Sequence, residues 1–174
     1  MCGSGLATFW SLIQSERKKA CLRKRLRLLP ETAIVLFEDE TDLVLFPPLW
    51  AAWAKRGQSK TVSLCGSNAR RVVFGSLHAK TGHLVLVPQE RQRALDFQNF
   101  LDIVRSHYWG RSLVMLLDED ASHTAIDSQE CARELGIELW WLPQRSPELN
   151  PLERLWHAGK KETCANYQHP DIDA

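Results

Sequence analysis

Acidic side chains are absent from a long part of this chain: between Leu43 and Gln89 there is no Asp or Glu, while Lys55, Arg56, Lys60, Arg70, Arg71 and Lys80 all fall there. Cys-x-x-Cys pairs are absent too. The five cysteines (Cys2, Cys21, Cys65, Cys131 and Cys164) are widely spaced, which excludes a zinc ribbon or a thioredoxin-like redox site. Their odd number fits reduced thiols and a cytoplasmic location. No run approaches the about 18 consecutive apolar residues of a membrane span. The first ten residues lack the positive n-region and apolar stretch of a secretory leader. The net charge of +1 is uninformative as a total. Its distribution says more, because residues 15–30 add seven basic side chains against one acid. Segregation of this kind builds a positive surface suited to a polyanion, although sheet-rich segments are also poor in acids for structural reasons.

With 174 residues, 44% of them hydrophobic, the chain can fill one core. Two unbroken apolar runs, Ala33-Ile-Val-Leu-Phe37 and Leu113-Val-Met-Leu-Leu117, read as strands buried on both faces. Both end in acids: Glu38-Asp-Glu-Thr-Asp42 after the first and Asp118-Glu-Asp120 after the second. Desolvation and repulsion oppose ionisation of carboxylates crowded at a sheet end. Such a cluster is either a loop in water or a holder of a cation, and two central strands ending this way are less expected by chance than one. Glu38 and Glu40 flank Asp39 on a chain that alternates faces, so both should point away from it.

Lys60–Leu64, Arg71–His78 and His83–Val87 read as further strands, the last two joined by a Thr81-Gly82 turn, with Pro88 closing the sheet edge. Trp50 and Trp53 form either a local core or a stacking surface. Leu22, Leu26 and Leu29 give one apolar stripe of a basic helix over Glu16–Leu29, which Pro30 stops, and residues 1–14 are expected to be weakly ordered. Arg91–Tyr108 is helical with Leu95, Phe100, Leu101 and Val104 inward. A helix over His123–Leu135 ends at Gly136 and leads into a strand Ile137–Leu142. Farther on, Asn150 and Pro151 have the chemistry of an N-cap and first helical position. Leu152, Leu155 and Trp156 would be buried. Glu153, three residues after the cap, suits either a capping box or a ligand role.

Three segments, Phe37-Glu-Asp-Glu-Thr41, Leu116-Leu-Asp-Glu-Asp-Ala-Ser-His-Thr124 and Leu142-Pro-Gln-Arg-Ser-Pro-Glu-Leu-Asn-Pro-Leu-Glu-Arg-Leu-Trp156, resemble the catalytic domain of bacterial insertion-sequence transposases of the mariner-like branch of the DDE superfamily. The resemblance spans about residues 31–161. It implies an α/β, RNase H-like fold with a mixed five-stranded sheet flanked by helices. It also implies a catalytic and metal-binding set of Asp39, Asp118 and Glu153. The 34 residues between Asp118 and Glu153 match the spacing of that branch. The expected cofactor is a pair of Mg²⁺ ions about 3.5–4 Å apart, replaceable by Mn²⁺, serving phosphodiester cleavage and strand transfer. The expected DNA contacts are Lys55, Arg56, Lys60, Arg70, Arg71, His123, Gln144 and Arg145, with His123 alternatively ordering the site or simply packed at a helix start. Where the family commonly has Asn after its second Asp, this chain has Glu119, so Asp120 competes with Asp118 for the ligand role.

The resemblance divides the chain into a basic extension (1–30), a catalytic domain (31–165) and a tail (166–174). The 30 residues before the sheet are too few for the family's helix-turn-helix modules. That leaves the second reading frame of a split transposase, a truncated relic confined to DNA binding and dimerisation, or a domain served by a separate helix-turn-helix chain from the same element. The expected partners are transposon-end and target DNA and a second copy of the chain, with no membrane. A different RNase H-like nuclease or integrase is the remaining alternative, disfavoured by the Ser-Pro-Glu-Leu-Asn-Pro run.

Overall fold

The computed structural model describes residues 4–51, 53–58, 61–144 and 146–173, with only the backbone given for 4–15. Its elements in chain order are α1 (Ser4–Arg27), β1 (Ile34–Val44), β2 (Arg70–His78), β3 (Leu84–Gln89), α2 (Ala94–His107), β4 (Leu113–Leu117), α3 (Ala121–Thr124), α4 (Ile126–Glu134), β5 (Ile137–Trp141) and α5 (Pro151–Gly159). A single sheet has the order β3-β2-β1-β4-β5. The first three strands are antiparallel neighbours, and β4 and β5 join parallel to β1 and to each other. This is the mixed five-stranded, RNase H-like sheet that the resemblance implies.

Alternation along the two central strands sorts the core onto two faces. Ile34 and Leu36 of β1 and Leu113, Met115 and Leu117 of β4 meet Phe97, Phe100, Leu101 and Val104 of α2 in the larger cluster. Val35 and Phe37 of β1 and Val114 and Leu116 of β4 face the other way, toward Leu22, Leu26 and Leu29. The stripe read from sequence thus docks on the sheet, and Arg25 lies 3.9 Å over the Trp140 ring. Continuing the alternation by two positions puts Asp39 and Asp118 on this second face and Glu38 on the first.

The structure corrects several local expectations. Residues 61–65 form no strand, and the sheet resumes only at Arg70. Pro88 does not end its strand: it pairs with Val73 on the edge of the sheet, where a missing N–H costs nothing. Leu95 is 59% exposed because it precedes the inward stripe of α2, and Leu155 is 39% exposed. The helix expected over His123–Leu135 is broken at Ala125, whose φ of −55° and ψ of 139° are extended. Trp53 is fully exposed while Trp50 sits edge-on to His157, so only Trp50 takes a packing role. Asn166 clasps the Trp50 backbone at 3.0 and 3.1 Å, and Gln168 does the same to Cys65 at 2.9 and 2.7 Å, tying the end of the chain to this excursion.

Gly75 lies opposite Asp39 in the β1–β2 register, and the Trp156 ring packs directly over it. A Cβ at that position would stand 2.6 Å from Trp156 Cζ2. Gly75→Ala is therefore expected to displace the indole and cost about 1–3 kcal/mol by overpacking. Urea denaturation measures this, and an unchanged midpoint would show that the close approach is not constrained.

Candidate active site

The site is assembled from three elements. Asp39 comes from mid-β1, Asp118 from the residue after β4 and Glu153 from the first turn of α5. All three line one cleft of about 410 Å³, together with Glu119, Asp120, Pro143, Gln144 and Asn150. Asn150 fixes the approach of α5. Its Oδ1 accepts from Leu152 N at 3.2 Å as an N-cap, while its Nδ2 donates to the Glu38 carbonyl at 2.8 Å. One buried amide thus starts the helix and ties it to the strand one residue before Asp39. The Asn150 N–H itself goes to the Pro147 carbonyl, so Glu153 forms no capping box and stays exposed. Trp156 Nε1 donates to Asp39 Oδ2 at 3.1 Å, a second tie between α5 and β1. The sequence suggested only apolar packing for Trp156, and Gly75 opposite Asp39 is the signal that a large ring comes close.

Burial, then Glu40, and beyond it Asp118 and Glu153, push the Asp39 carboxyl up to about 7, partly opposed by a backbone hydrogen bond. Asp118 goes the other way: its hydrogen bond to His123 holds it below the usual carboxylate range. Asp118 has an imidazole partner, whereas Asp39 is buried beside other acids with the neutral indole and a backbone N–H as its partners. Asp120 is occupied as the N-cap of α3, accepting from Ser122 N and Oγ at 2.8 Å. Glu119 accepts from Gln144 Nε2 at 2.8 Å at the cleft.

Behind the cleft, on the opposite face of β1, lies a second group. His123 is fully buried against Phe97, with ring centroids 4.5 Å apart. Its Nδ1 lies 3.2 Å from both Asp118 Oδ1 and the Asp118 carbonyl. Its Nε2 lies 2.9 Å from Glu40 Oε1 and 3.5 Å from Glu38 Oε2. Acceptors face both ring nitrogens, which calls for the doubly protonated ring. Burial lowers its pKa, but Glu38, Asp118 and Glu40 outweigh that and raise it to about 11. Glu38 is 1% exposed, its oxygens lack a hydrogen-bond partner, and burial pushes its carboxyl well up. Among the described residues, Glu38, Glu40 and His123 are the set whose ligand atoms come within 4.8 Å of one another. Mg²⁺ retains several waters and prefers oxygen donors. This buried, histidine-containing set is a poor match for it, whereas the open cleft lined by carboxylates fits.

The expected DNA contacts are not brought together as one free surface. His123 is inside the protein, where it cannot touch a duplex. Arg70 is held by Asp42 at 2.7 Å, and Arg71 by both carboxylate oxygens of Asp173 at 2.9 and 2.7 Å. The acid-free stretch therefore acquires acids from either side in space. Lys55 and Arg56 are exposed, and Gln144 lines the cleft. Lys60 and Arg145 lie outside the described residues. The four described cysteines are free, and no described helix is long and apolar enough to cross a membrane.

A carboxyl raised from about 3.9 when unfolded to about 7 when folded contributes stability that falls as pH rises through that window. Asp39→Asn removes this pH-dependent loss. Without divalent ions, the variant should melt above the wild type at pH 8, by a margin that shrinks toward pH 5. Calorimetry at the two pH values checks this, and a margin constant with pH contradicts it.

Comparison with known proteins gives concordant results. The chain is 28% identical over 155 residues to an uncharacterised 39 kDa protein of insertion element IS630 from Shigella sonnei, covering 88% of this chain and 45% of that protein. Its fold is similar to a Mos1 transposase paired-end complex with the left transposon end (TM-score 0.67, 17% identity, 94% of this chain and 51% of that one). It is similarly close to a Mos1 strand transfer complex (TM-score 0.68, 15% identity, with 94% and 51% covered). The chain spans about half the length of these relatives. The family profile described as DDE superfamily endonuclease matches residues 34–174, every element from β1 onward, and the chain belongs to that family.

Proposed function

We propose that this chain is the catalytic part of a DNA transposase, cleaving phosphodiester bonds at transposon ends and joining them to target DNA. The observation that carries this reading is the convergence of Asp39, Asp118 and Glu153 on one open cleft, with Asp39 raised to about 7 by burial and by the acids around it. The Mos1 structures include complexes with transposon-end DNA and with Mg and Mn. Such ions suit an all-carboxylate set, as hard cations take oxygen donors.

Asp39, Asp118 and Glu153 would hold two Mg²⁺ ions, or Mn²⁺ in their place. Bound there, the metal supplies activation of the attacking water or 3′-hydroxyl and stabilisation of the leaving oxygen. The protein's own contribution is placement. The indole N–H fixes one oxygen of Asp39. Asn150 sets the height of Glu153 above β1. Asp118 Oδ1 accepts from the Asp120 N–H at 3.1 Å and faces the His123 ring, leaving Oδ2 to the cleft. Asp118 is favoured over Asp120 as the ligand because Asp120 is the cap of α3. Lys55, Arg56 and Gln144 are the described candidates to meet DNA, with Lys60 and Arg145 added from sequence. Residues 31–165 are proposed as the catalytic unit, acting as a homodimer with a helix-turn-helix chain supplied in trans.

The decisive assay follows Mg²⁺- or Mn²⁺-dependent nicking and strand transfer on DNA carrying the element's ends, with the helix-turn-helix chain present. Loss of an outer partner of a metal ligand already costs about 10–100-fold. Asp118→Asn is therefore expected to lower the rate at least about a hundredfold. Equal rates for the two proteins would remove the enzyme reading and leave a binding remnant.

A further inference from the structure

The parallel ladder between β1 and β4 runs from Ile34–Leu113 to Phe37–Leu116 and stops there. Asp39 and Asp118 both lie beyond its last pair, so no direct β1–β4 pairing ties one to the other, although Asp39 still pairs with Gly75 of β2. A side chain spans the gap instead. His123, on α3, reaches Asp118 with Nδ1 at 3.2 Å and Glu40, the neighbour of Asp39, with Nε2 at 2.9 Å. Phe97 of α2 backs the ring, with centroids 4.5 Å apart, and the side chain is fully buried. The ring is therefore held on three sides and links the two chain segments that carry the acids.

We propose that His123 is a positioning residue that sets the separation of Asp39 and Asp118 by bridging Glu40 to Asp118 behind the cleft. The proposal rests on the reading of Asp39, Asp118 and Glu153 as metal ligands. It assigns His123 no contact with DNA and no contact with the ions. Two donors aimed in opposite directions from one rigid ring are the feature that matters. Flexible side chains reproduce only one arm each. Asn places its amide nitrogen near the Nδ1 position and can reach Asp118, whereas Gln places it near Nε2 and can reach Glu40. Glu40→Leu removes the same bridge from its other end, away from the cleft.

The test uses the full chain and Mn²⁺ alone, followed by loss of the free-ion signal in electron paramagnetic resonance, with the melting temperature of each protein recorded beside it. His123→Asn, His123→Gln and Glu40→Leu are each expected to weaken Mn²⁺ binding about tenfold or more, in the range of lost outer partners of metal ligands. The weakening should not scale with the change in melting temperature across the three. Wild-type affinity in any folded variant would overturn the proposal. Failure of all three to fold would do so too, by assigning the bridge to stability alone. An ion that stays bound in Asp39→Asn and Asp118→Asn but is lost in His123→Gln would place a metal in the Glu38–Glu40–His123 group and overturn it as well. Absence of Mn²⁺ binding by the wild type would remove the metal-ligand reading itself, an outcome distinct from equal binding by wild type and variants.

Discussion

Repulsion among carboxylates gathered where the parallel pairing of β1 and β4 stops is the constraint on which the rest of the structure depends. Five acids, Glu38, Asp39, Glu40, Asp118 and Glu153, are gathered where β1, β4 and α5 meet. In water they would move apart. Here the sheet, the helix cap and the core hold them, so positive charge has to be provided locally or ionisation is suppressed.

The fold meets this demand differently on its two faces. Behind the sheet, the His123 imidazolium lies among Glu38, Glu40 and Asp118, sealed by Phe97. In front, the described residues that line the cleft include no basic side chain, and Asp39 has the Trp156 indole and a backbone N–H as its partners. An internal charge is a fixed part of the architecture, whereas an open acidic cleft admits an exchangeable one. Divalent ions in such a cleft reverse the local pKa logic by offering each carboxylate a strong opposite charge. The apolar layers hold the sheet between them: Phe74, Phe97 and Phe100 pack on one side and α1 on the other.

Much of this was legible in the residues. Unbroken apolar runs marked β1 and β4 as central, alternation placed Glu38 and Asp39 on opposite faces, and Asn150-Pro151 marked the start of α5. The third acid was ambiguous because a Glu three residues after a cap has two equally good uses. The structure settles the capping half of that question, since the Asn150 N–H goes to Pro147. What periodicity could not show depends on contacts between distant segments. Nothing near Trp156 in sequence says that its N–H reaches Asp39, and the acid-free stretch could not foretell that Asp42 and Asp173 would neutralise Arg70 and Arg71. For His123 the sequence left DNA contact and a packed helix-start position both open, and only the enclosure by Phe97 and three acids decides for the packed one. Leu95 erred at a helix margin, one residue before the buried stripe of α2, and Leu155 lies in mid-α5 but partly open to solvent.

The most direct measurement is anomalous scattering at the manganese edge from crystals of this chain with Mn²⁺ and a transposon-end duplex. The account predicts manganese between Asp39, Asp118 and Glu153, two ions about 3.5–4 Å apart, with His123 still bridging Glu40 and Asp118. Manganese confined to the Glu38–Glu40–His123 group, or none in the cleft at saturating concentration, would contradict it.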